Sequence, residues 1–75
     1  MWVETKENNL INLANANRIY VDKLSLNDVI FVEFPNACRY GIYEGSEEAC
    51  TAKMWHIREA MDKEAGGMPV GVLHL

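Results

Sequence analysis

Apolar and polar side chains alternate from the first residue. Over residues 1–6, Met1, Val3 and Thr5 fall on one side and Trp2, Glu4 and Lys6 on the other. That period of two predicts a β-strand. Glu7-Asn8-Asn9 follows, and adjacent asparagines tolerate the left-handed backbone of a tight turn. Residues 10–13, Leu-Ile-Asn-Leu, therefore read as the returning strand of a hairpin. Asn12, Asn15 and Asn17 break the pattern, suggesting a bulge or short turn over 14–17. In the next strand, residues 18–24, Ile19 and Val21 lie on one side and Tyr20, Asp22 and Leu24 on the other. A turn at 25–28 leads into Val-Ile-Phe-Val-Glu-Phe, residues 29–34, the most strand-like segment of the chain. Its near-continuous apolarity predicts a central strand covered on both faces. Pro35 ends it, 35–38 form a loop, and residues 39–43 make the last strand of the run. Short turns between consecutive strands imply antiparallel pairing, so residues 1–44 predict a four-stranded antiparallel meander.

The period then changes. On a helix of about 3.6 residues per turn, Cys50, Met54, Ile57 and Met61 form one narrow apolar stripe. Ala49 and Ala60 flank it on one side and Ala65 on the other, while Glu48, His56, Glu59 and Lys63 point away. Ser46 is a good N-cap, and Glu47 and Glu48 suit the positive end of the helix dipole. Gly66-Gly67 and then Pro69 stop the helix. The expected element spans 46–65 and packs on one face of the sheet, giving a two-layer α+β domain. Trp55 does not fit: it lies outside the stripe, among Thr51, Arg58, Glu59 and Asp62. The tail, residues 66–75, is apolar but broken by Gly and Pro. It reads as a short extra strand, an arm to a neighbouring molecule or a disordered end, and its apolarity argues against a freely solvated tail.

Composition narrows the reading. Seventy-five residues make one domain, and a chain this short buries only about 60% of its unfolded surface. An apolar content of 49% is high for that size and favours a homodimer. The net charge of −4 disfavours general phosphate binding and makes nucleic acid an unexpected partner. Two cysteines are too few for a disulfide scaffold, which points to a reducing, cytoplasmic setting. The N-terminus shows no basic region followed by an apolar run, and no stretch is long and apolar enough to span a membrane. The initial Met and the lack of a tag are those expected of a complete small protein.

Few residues invite chemistry. Cys38, Cys50, His56 and His74 are possible zinc ligands, but their spacing matches no zinc pattern. Cys38 beside Arg39 has a cation to activate a thiol but no assignable base, and it reads as a loop cysteine tucked against the sheet. Glu44, Glu47 and Glu48 are explained by capping. No cofactor is implied. Arg18, Lys23, Arg39, Lys53 and Arg58 are interleaved with acids, while Tyr20, Tyr40 and Tyr43 on an open sheet face are the type of residue that stacks bases. Trp2, Trp55, Arg58, Val72 and Leu73 are the candidate interface residues, since tryptophan and arginine are enriched at contact hot spots.

The opening Met1-Trp2-Val3-x-Thr5-Lys6, then Leu10-Ile11-Asn12-Leu13, Ile19-x-Val21 and a helix starting near Ser46-Glu47-Glu48, resembles a family of small uncharacterised bacterial or phage-associated proteins. The resemblance covers about two-thirds of the chain, excludes the 69–75 tail, and implies no activity and no functional residues. The expectation from the sequence is a non-enzymatic protein that self-associates and acts by protein–protein contacts. The alternative is a nucleic-acid-binding regulator using the open sheet face.

Overall fold

The computed structural model describes residues 1–75. The element order is β1 (Trp2–Glu4), β2 (Leu10–Asn12), β3 (Arg18–Lys23), β4 (Asp28–Glu33), β5 (Arg39–Gly45), α1 (Glu47–Ala65) and β6 (Leu73–His74). The α+β class holds, but a single four-stranded meander does not form. The strands make two three-stranded sheets, ordered β2-β1-β6 and β3-β4-β5. The chain changes sheet at its asparagine-rich stretch. The Leu13 amide still donates to Met1 O (2.8 Å), then Ala16 N turns back to Leu13 O (3.1 Å) and Asn17 N donates to Glu33 O (2.8 Å). Asn12 Oδ1 accepts from Ala14 N at 3.0 Å, the side-chain turn that asparagine favours. The interruption is thus a corner between two sheets, with Leu13 buried at its inner side.

The tail is the short strand. β6 pairs in parallel with β1, Val3 beside Leu73 and Glu4 beside His74, and Leu75 N donates to Glu4 O at 2.9 Å. Both chain ends are therefore held by the first sheet. In the second sheet β4 is central, flanked antiparallel by β3 and β5. A bulge in β5 falls between Gly41, which pairs with Phe31, and Tyr43, which pairs with Ile30. The extra residue, Ile42, is buried.

The core joins the two sheets to the helix. Met1, Val3 and Leu13 come from the first sheet and its corner; Ile30, Val32 and Ile42 come from the second; Cys50, Ile57 and Ala60 come from α1. Met54 is half-buried against this cluster, whereas Met61 is exposed. The expected stripe thus holds at Cys50, Met54 and Ile57 but swings to Ala60 at its end. There Ala60 lines a hollow with Val70 and Leu73, so the tail meets the helix at a small side chain.

Both ends of α1 form as their residues dictate. Ser46 Oγ accepts from Ala49 N at 3.1 Å. At the other end Gly67 has φ +83°. Gly67 N donates to Glu64 O and Met68 N to Lys63 O, each at 3.0 Å, the paired closure that a left-handed residue after a helix permits.

Candidate interaction surfaces

The second sheet leaves one long regular edge. β3 has six residues, full register with β4 and no bulge. Its outer side has no strand partner. Alternation puts Ile19 and Val21 on the side of the core residues Val32 and Ile30, with which they pair. Beside this edge lies a hollow lined by Ile19, Tyr20, Val21, Met54, Trp55 and Arg58. A second hollow continues it, sharing Ile19, Met54 and Arg58 and adding Leu13, Ile57 and Met61. Trp55 is 67% exposed and Val21 is 39% exposed. An apolar trough therefore runs between an unpaired strand and the outer flank of α1.

The opposite face of this sheet is differently made. Tyr20 and Phe31 stack at 5.8 Å between ring centres. Arg18 lies over the Tyr20 ring at 4.2 Å and Arg39 over the Phe31 ring at 4.0 Å. Each guanidinium is also paired, Arg18 with Glu33 at 3.2 Å and Arg39 with Asp22 at 3.3 Å. Arg39 Nη1 donates to Tyr20 Oη at 3.1 Å. That hydrogen bond, followed by the one to Asp22, pushes the Arg39 guanidinium pKa further up. Of the tyrosines that would stack bases, Tyr20 thus carries Arg18 and Tyr43 carries Lys6 and Lys53 over its ring, at 4.9 and 5.3 Å, while Tyr40 is exposed and packs edge-on against Phe34. Arg18 and Arg39 both have acidic partners.

The five residues expected at an interface do not share one surface. Trp55 and Arg58 line the β3 trough. Val72 and Leu73 line a separate hollow with His56 and Lys63, and Leu73 is half-buried against the core. Trp2 is 48% exposed on β1, where it pairs with Asn12. Sequence reasoning missed Ile19, Val21 and Met54 as companions of Trp55. Their alternation was visible, but the edge position of β3 comes from sheet order.

The remaining candidates are dispersed. Cys38 is exposed rather than tucked against the sheet; it sits in a turn where its amide donates to Asn36 Oδ1 at 3.1 Å. Cys50 is buried, with Sγ donating to Asp28 O at 3.4 Å. Burial pushes its thiol pKa up, and the nearby Asp28 charge adds to that. It is a protonated core residue at neutral pH. His74 Nδ1 meets Glu4 Oε1 at 2.6 Å and ties the tail to β1. Glu44 accepts from Asn27 Nδ2 at 3.1 Å and Glu47 pairs with Lys23 at 3.6 Å. No group of three or more His, Cys, Asp or Glu side chains is placed to hold a metal ion. No helix is long and apolar enough to cross a membrane. No protein-family model, curated protein or solved structure matches the chain.

Proposed function

We propose that this is a non-enzymatic protein that self-associates and acts through protein–protein contacts, in a cytoplasmic setting. The observation that supports this is Trp55, 67% exposed beside the unpaired β3 edge. A large aromatic at an apolar trough is the composition of a contact hot spot, and an open regular strand is a template for pairing. The nucleic-acid reading draws less support, since the arginines over Tyr20 and Phe31 are already bound to acids and the net charge is −4. Sedimentation velocity across a concentration series tests the proposal. The wild type is expected to dimerise at micromolar concentration and Trp55→Ala to weaken the dimer about tenfold or more. A wild type that stays monomeric at high micromolar concentration refutes it.

A further inference from the structure

The edges of the two sheets set how one copy can meet another. Four strands are terminal in their sheets: β2, β6, β3 and β5. β2 has three residues and β6 two, too few for a stable added ladder. β5 is bulged at Ile42, and a bulge twists an edge away from pairing. β3 alone is long, regular and flanked by exposed apolar side chains.

Its sequence is also self-complementary. We infer that two copies join β3 to β3, antiparallel, about a two-fold axis at Tyr20, forming one continuous six-stranded sheet. The inference rests on the self-association reading. In this register Ile19 of one copy faces Val21 of the other on the helix side, and Arg18 faces Asp22 of the other copy on the opposite side. Shifting the axis to Val21 sets Ile19 against Lys23, and shifting it to Ile19 sets Asn17 against Val21. Both registers lose the charge pairing. The Tyr20 register also extends pairs that already exist. Glu33 holds Arg18 and Arg39 holds Asp22, so joining the strands continues the alternation as Glu33, Arg18, then Asp22 and Arg39 of the second copy. Because an even register keeps both helices on one side of the sheet, the two Trp55 troughs open toward the axis. Each can then be closed by the other copy.

Complementary charge reversals test the register. In an Arg18→Asp homodimer, the introduced carboxylate faces Asp22 at both ends of the ladder. In an Asp22→Arg homodimer, the introduced guanidinium faces Arg18 at both ends. Each variant, checked for folding by circular dichroism, is expected to dimerise at least about tenfold more weakly than the wild type. An equimolar mixture is expected to recover a heterodimer, because both cross-contacts are then opposite in sign. Two folded variants that dimerise normally, or a mixture that fails to recover, overturn the β3 register. Should either variant fail to fold, wild-type hydrogen exchange decides: residues 18–22 must exchange more slowly as protein concentration rises, and concentration-independent exchange overturns the inference. A dimer lost on Trp55→Ala but indifferent to both reversals leaves the self-association reading standing and removes this one. A monomeric wild type removes both.

Discussion

The two sheets have the same number of strands and are held in opposite ways. The second sheet is built from neighbours in sequence: strands of six, six and seven residues joined by short turns, with Ile30 and Val32 wholly buried on its central strand. The first has strands of three, three and two residues, and its parallel pair joins the two ends of the chain. What holds it beyond the β1–β2 hairpin is non-local: Leu73 beside Val3, His74 on Glu4, and the Met1 ammonium on Glu64 at 3.1 Å. Closing so long a loop costs entropy before any contact offsets it. The difference implies a cooperative second sheet and a β1–β6 pairing that can open by itself.

The largest effect expected comes from the second sheet. Ile30→Ala empties a site with no solvent exposure at the centre of the shared core, and such truncations cost about 2–5 kcal/mol. A domain of this length has a stability on the order of 4–11 kcal/mol, so a urea melt should show loss of about a third or more of it. All structural probes should move together. A midpoint within error of the wild type would show that the core is not centred on β4.

Removing residues 68–75 should do less. It takes away the half-buried Val70, Leu73 and Leu75 and costs about 2 kcal/mol. Its signature is unequal: amide exchange at residues 2–4 should accelerate well beyond any change at residues 29–32. Equal acceleration in both sheets would contradict the contrast drawn between them.

The same contrast explains what the sequence disclosed. Local structure was legible wherever one residue type decides it. Ser46 caps α1, Gly66-Gly67 closes it, and Asn8 takes the turn of the first hairpin. The central place of residues 29–34 was legible from their apolarity. The sheet count was not, because the asparagine-rich interruption at 14–17 does not say whether the next strand rejoins the hairpin or starts a new sheet, and the β1–β6 pairing links positions about seventy residues apart and rests on two residues without a pattern. The helix stripe erred at Met61 for the same reason: the tail that meets Ala60 returns from outside the helix. At the candidate surface, Trp55 was legible as a misfit, yet its partners Ile19 and Val21 depended on β3 being an edge.

The smallest expected effect tests the sheets at their turns. Two of the three hairpins use one geometry: Thr5 N to Asn9 O and Asn8 N to Thr5 O in the β1–β2 turn, Phe34 N to Cys38 O and Ala37 N to Phe34 O in the β4–β5 turn. The left-handed position is Asn8 in one and Ala37 in the other, each at φ 66°. Alanine there carries a Cβ clash that costs about 1–2 kcal/mol, while asparagine tolerates the conformation better. The weakly held sheet thus has the better turn residue, and the well-packed sheet absorbs the strain. Ala37→Asn should raise stability by about 0.5–1 kcal/mol without loosening the unfolded chain as glycine would. Asn8→Ala should lower it by a similar amount and speed exchange in the first sheet first. Thermal melts of the two single variants and the double variant measure this; effects in distant, independent turns should add. A destabilised Ala37→Asn would mean that the left-handed backbone at residue 37 is not what strains the β4–β5 turn.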